Sequence, residues 1–193
     1  KLAGNAFVAG SAYNVAIGES ALTALKGDDG NNSGAKNIAI GSSAMATFQG
    51  GGGDVHSNTR IDRNIAIGYG AFVGADFNNA EVVVTDNIAI GDSALDTTGS
   101  NGQVGTIAIG SQALTALTSG SGCTSVGHEA GLTITTGGQN TTIGYQSMGG
   151  GAGYGNTAIG WKAGRSMTAT EIYNVVIGAE AMANMDEGAN CHI

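Results

Sequence analysis

Four ring-bearing side chains recur at one place in this sequence: Tyr69, His128, Tyr145 and Trp161 each follow the glycine that closes the same short motif. Rings held in a column can stack on sugar rings, or on one another, where they stiffen a sheet or meet a second chain. They are the candidate receptor-binding residues. A second set heads the motif: Asn14, Asn37, Asn64, Asn87, Asn140, Asn156 and Asn174. Such a row could bind a ligand or metal, but stacked amides also hydrogen-bond to one another, and a repeat needs its turns fixed. A structural ladder is therefore the preferred reading. Asp28, Asp29, Asn31 and Asn32 offer the oxygen ligands Ca²⁺ takes, yet their order matches no EF-hand loop. His56, His128 and His192 share no ligand spacing, so no metal site is expected. Cys123 has no companion histidine and acid and reads as a small buried side chain. The carboxylates are scattered, without the pairing that sugar cleavage needs. Neither an enzyme nor a cofactor is expected.

What positions these residues is a repeat. Nine copies are present: NVAIG (14–18), NIAIG (37–41, 64–68 and 87–91), TIAIG (106–110), CTSVG (123–127), NTTIG (140–144), NTAIG (156–160) and NVVIG (174–178). Each continues as x-x-A-[LMFG] or close to it, as in DSAL and WKAG. A fixed motif at a short period is the signature of a repeat architecture. Successive motif glycines are 23, 27, 23, 19, 17, 17, 16 and 18 residues apart, so a coil needs about 16 residues and the early coils carry insertions. The insertions lie at 26–36, 47–63 and 74–86. Gly4 lies 14 residues before Gly18, and Asn190 to Ile193 read as the start of another motif. The chain, 1–193, reads as one solenoid domain and as a piece of a longer protein.

Composition narrows the function. The chain has 35 glycines and no proline, 11% charged residues and a net charge of −8. Proline lacks the N–H that a strand ladder needs, so its absence suits a backbone bonded along its whole length. Only seven Lys and Arg are present, which disfavours nucleic acid. No apolar run approaches a membrane span, so membrane insertion is not expected.

Within N-I-A-I-G the side chains alternate, as in a strand. The Ile, Val and Thr positions face one way; Asn, Ala and Gly face the other. The following A-L pair reads as a second short strand, and EVVVT (81–85) as a further strand segment. These elements predict an all-β parallel β-solenoid of about ten short coils, a rod about 50 Å long at one strand spacing per coil. Both faces of the motif strand are apolar, including the stripe Ala16, Ala39, Ala66, Ala89, Ala108 and Ala158. A lone rod leaves one of them poorly covered, so coils of several chains are expected to pack together.

N-x-A-I-G resembles the head repeats of YadA-like trimeric autotransporter adhesins. With the trailing x-x-A-L and variable spacers it looks still more like repeats of bacteriophage tail fibres. The resemblance runs from Gly4 to Ile193. It implies a left-handed parallel β-roll, a homotrimeric fibre, attachment to a host surface glycan or protein receptor, and a place in the virion or, on the adhesin reading, on the bacterial outer surface. Coils of 16 to 27 residues exceed the adhesin repeat of about 14 and favour the phage fibre. Two other classes compete. An ice-binding solenoid is suggested by Thr124, Thr141 and Thr157, but Ile or Val fills that row elsewhere. A polysaccharide-cleaving tailspike would need the carboxylate pair noted above. Receptor recognition is expected on the ring column or on the insertions, since loops on a rigid scaffold commonly carry it.

Overall fold

The computed structural model describes residues 13–23, 34–48, 60–74, 82–98 and 101–183. Asp28, Asp29, Asn31, Asn32, His56, His192, Gly4, Asn190 to Ile193 and much of the three insertions lie outside the described residues.

Twelve short strands and no helix are found among the described residues. In chain order they are β1 (Val15–Ile17), β2 (Ile38–Ile40), β3 (Arg60–Asp62), β4 (Ile65–Ile67), β5 (Val83–Thr85), β6 (Ile88–Ile90), β7 (Gln103–Val104), β8 (Ile107–Ile109), β9 (Thr124–Val126), β10 (Thr141–Ile143), β11 (Thr157–Ile159) and β12 (Val175–Ile177). The nine motif strands form one parallel sheet, β1-β2-β4-β6-β8-β9-β10-β11-β12, each paired with the strand one coil away. Register follows the motif letter for letter: Ala66 pairs with Ala89 and Ile67 with Ile90. The chain is a parallel β-solenoid.

Each rung is bonded to the next through the backbone. Ile65 N–H donates to Asn87 O at 2.8 Å, and Gly91 N–H donates to Ile67 O at 2.8 Å. The motif then turns: Ala94 N–H donates back to Gly91 O at 3.5 Å across Asp92 and Ser93. Ser93 has φ 51°, the left-handed conformation a type II turn demands at that place. Leu95, two residues on, is left-handed as well, with φ 54°, and so is Asp86 just before the motif, with φ 62°. The same three places are left-handed in coil after coil, for example Gln139, Gln146 and Met148. An L-residue pays strain there, and the hydrogen bonds between coils offset it.

The A-L pair is therefore a turn, not the second strand that its apolar letters suggest. Where a second strand exists it precedes the motif. Strands β3, β5 and β7 form a separate three-stranded parallel sheet, β3 and β5 within the insertions at 47–63 and 74–86 and β7 in the coil that follows. The expectation of a strand in EVVVT holds at Val83–Thr85.

The structure also decides which face of the motif strand lies inside. Ala39, Ala66, Ala89, Ala108 and Ala158 are fully buried. They pack within their own chain against Leu22, Met45, Phe72, Leu95 and Leu114 of the turns and Phe48, Leu117, Ile134 and Met167 beyond them. The alanine stripe is thus intrachain core, and the Ile and Val columns point outward. Alanine is what a thin coil has room for at its centre. Packing also explains two departures from A-L. A Cβ on Gly131 would stand 3.1 Å from Ile134 Cδ1, and one on Gly164 would stand 2.8 Å from Met167 Sδ. At Gly131 the neighbouring coil also closes in, with Leu114 Cδ2 at 2.8 Å.

The motif glycine has two reasons to be invariant. Its φ lies between 122° and 138°, outside what side-chain-bearing residues adopt. A Cβ there would also strike the next coil: at Gly110 it would lie 2.3 Å from Gly127 O.

Candidate functional site

The residues with distinctive chemistry form two arrays, one inside the rod and one on its surface. Inside runs the asparagine ladder. Asn64 Nδ2 donates to Asn37 Oδ1 at 3.0 Å and to Val84 O at 2.8 Å. Its Oδ1 accepts from Asn87 N–H at 3.1 Å and Asn87 Nδ2 at 2.9 Å. Asn14 begins the row by accepting from Asn37 N–H at 2.8 Å. Asn140, Asn156 and Asn174 repeat the pattern, with Asn174 Nδ2 3.1 Å from Asn156 Oδ1. Every one but Asn14 is buried. With their polar atoms spent on each other and on the backbone, these amides have nothing to offer a ligand.

The ladder is broken once. Thr106 and Cys123 stand where amides stand elsewhere, and they separate the run Asn14 to Asn87 from the run Asn140 to Asn174. Cys123 Sγ lies 3.2 Å from Gly137 O, the bond an amide would make at that place. Burial pushes its thiol above the usual range, the opposite of a nucleophile's environment.

On the surface, Tyr69, His128, Tyr145 and Trp161 are all exposed, Tyr69 the most at 64%. Their backbones are in register: Gln146 N–H donates to His128 O at 3.0 Å, and Lys162 N–H donates to Tyr145 O at 2.8 Å. His128 and Tyr145 stack nearly parallel, with centroids 5.5 Å apart and planes 11° from parallel. Trp161 sits on the next rung, but its ring holds the ammonium of Lys162, 4.3 Å from the centroid. Tyr69 stands apart, because the rungs of Asp92 and Ser111 come between it and His128. The four thus resolve into a stacked pair, a Trp–Lys pair and one isolated tyrosine. Glu129 supports the pair from beside it: its Oε2 accepts from Gln146 Nε2 at 2.5 Å.

A second aromatic group lies just before the motifs, where the repeat alignment draws no attention to it. Tyr154 and Tyr173 meet edge to face at 5.9 Å, both exposed, beside exposed Ile172. Tyr173 lies over Gly155, where a Cβ would come within 2.8 Å of the ring. The one sequence signal is that Tyr154 and Tyr173 lie two and one residues before consecutive motif asparagines. Charge is sparse along this rod. Arg63 and Asp86, on adjacent coils, form a two-pronged pair at 2.6 and 2.8 Å.

Among the described residues no cluster of three His, Cys, Asp or Glu side chains could hold a metal. No described helix is long and apolar enough to cross a membrane. No family model, curated protein or solved structure matches this chain. The architecture and the two arrays define the class as a parallel β-solenoid repeat protein.

Proposed function

We propose that this chain is a segment of a homotrimeric fibre, of the kind found in bacteriophage tail fibres, which attaches the virion to its host. About ten coils of a left-handed β-roll make the rod, and the receptor is a surface glycan or protein. One observation carries the reading: the outward face of the nine-stranded sheet is an apolar ribbon. It consists of two Ile/Val columns, broken by Thr124, Thr141 and Thr157 in the first. Eight strand spacings make it about 38 Å long. Val15, Ile17, Ile143 and Ile177 are 42%, 57%, 39% and 60% exposed in the single chain. An apolar strip of that length on a protein of net charge −8 marks an interaction surface. Three copies turned inward about a common axis would cover all three strips at once.

Assembly of this kind leaves the rings of His128, Tyr145 and Trp161 and the Tyr154–Tyr173 pair free for recognition. Exposed rings can stack on sugars, and Lys162 beside Trp161 adds a charge for orientation. A glycan array probed with the purified assembly tests this. Binding that falls on Trp161→Ala, with assembly retained, supports a receptor site on the column. Binding unchanged in Trp161→Ala and Tyr145→Ala refutes it. The same architecture would serve the head of a bacterial trimeric autotransporter adhesin on the outer surface.

A second reading has its own observation. Thr124, Thr141 and Thr157 stand in register on three consecutive strands of the outward face. A flat threonine row is what an ice-binding solenoid presents. Thermal hysteresis in solution would favour that reading, and its absence would remove it.

A further inference from the structure

The coil from Asn87 to Thr106 differs inside from every other described coil. Four buried side-chain atoms there lack a hydrogen-bond partner: Thr98 Oγ1, Gln103 Nε2, Gln103 Oε1 and Thr106 Oγ1. Gln103 and Thr106 are wholly buried, and Thr98 is 3% exposed. Among the described residues no other buried side-chain nitrogen or oxygen is in that condition. A primary amide buried with neither end paired is one of the costlier things a core can contain, and such groups usually meet an ordered water.

Gln103 and Thr106 flank one rung of the asparagine ladder. Gln103 lies beside the ladder, since its carbonyl accepts from Asn87 Nδ2 at 2.8 Å. Thr106 is the next rung, its N–H donating to Asn87 Oδ1 at 2.9 Å. Thr98 follows its motif glycine by seven residues, and Gln103 precedes Thr106 by three. In the next coil those places belong to Leu117 and Gly120, and a Cβ on Gly120 would stand 2.9 Å from Leu117 Cδ1. In that coil the two places are neighbours in the interior, which puts Thr98 and Gln103 on the same side of theirs. Other coils fill Thr98's place with Phe48, Leu117, Ile134 or Met167, and Gln103's with Ile61 or Val84. This coil alone is polar at both, and Thr106 leaves its ladder place one amide short.

We propose that this coil encloses a hydration site, with water held between the Gln103 amide and the hydroxyls of Thr98 and Thr106. Three polar side chains supply the two to four partners that a buried water takes. The amide donates from Nε2 and accepts at Oε1, and each hydroxyl turns to suit. The position in the rod gives the site a structural role. Strand β7 is the last of the second sheet, so the cross-section changes here. The asparagine ladder breaks at the same level. Water then takes over the bonding that the missing amide would supply and joins two rod segments of different section.

A crystal structure at a resolution that shows ordered solvent tests the proposal directly. The expected result is water within hydrogen-bond distance of the Gln103 amide and of at least one of the two hydroxyls. The triple variant Thr98→Leu, Gln103→Val, Thr106→Asn should lose that water. A dry interior in the wild type, or a Gln103 amide bonded to protein groups alone, would overturn it. The wild-type map decides the matter even if the variant fails to fold.

Discussion

Truncating one interior rung of the ladder, Asn64→Ala, should be among the most damaging side-chain losses in the rod. Asn64 makes four side-chain bonds, two from Nδ2 and two to Oδ1. Its own N–H keeps Asn37 Oδ1 as acceptor at 2.9 Å, so the rung above loses only one of its bonds. The rung below fares worse. Asn87 loses the acceptor for its backbone N–H and for one Nδ2 hydrogen, while its bond to Gln103 O survives. Two buried donors are left unpaired, at about 1–3 kcal/mol each, which gives about 2–6 kcal/mol. That is a large share of a domain stability of about 5–15 kcal/mol. Asn14 is the control. It sits at the partly exposed end of the row, where water can replace its bonds, so Asn14→Ala should cost about 1 kcal/mol. Urea denaturation followed by far-UV circular dichroism, at one fixed protein concentration, measures both. Equal costs for the two variants, or an Asn64→Ala midpoint unchanged from wild type, would refute the ladder as a cooperative device.

Three further outcomes follow from the turns and from charge. Gly110→Ala combines a φ of 132° with a Cβ 2.3 Å from Gly127 O, so it should cost more than about 3 kcal/mol and leave little folded protein in a thermal melt. Gln112 is exposed and left-handed at φ 58°, so Gln112→Gly should raise stability by about 1 kcal/mol, and a loss would contradict the strain argument. The hydrogen bond from Arg63 holds the Asp86 carboxyl below its usual range, with burial pushing the other way. A lowered folded value means stability that is complete above the unfolded value of about 3.9 and is lost as pH falls through the folded one. Asp86→Asn should therefore lose stability at pH 7 and flatten the acid limb below about pH 4 by the same amount, a small one because the pair is exposed.

Much of the fold could be read from the letters because the repeat fixes them. The asparagine spacing foretold the ladder, and the period foretold parallel rungs in register. Two features resisted for physical reasons. Leucine, methionine and phenylalanine after the motif alanine look like strand residues. Yet Leu95 and Met148 sit at φ 54° and 48°, a conformation their side chains disfavour but the bonds between coils impose. The inner face was also ambiguous, since alanine and isoleucine are both apolar. What separates them is the width of the coil, which depends on how far the turns project and not on any residue of the strand. Spacing alone put the surface rings at one motif place, but only His128 and Tyr145 stack. Spacing could not say that Trp161 would take Lys162 as its partner, nor that Tyr154 and Tyr173 would meet on neighbouring coils. Those contacts depend on rotamers and on the bare glycine at 155.

In the proposed trimer the outward Ile and Val ribbon is buried between three copies of the chain. Sedimentation equilibrium on the purified protein tests it most directly. A single species at three times the 18.9 kDa chain mass is expected, and Ile90→Asp on the ribbon should dissociate it. A wild-type protein that is fully folded at the mass of one chain, with its ribbon open to water, would contradict it.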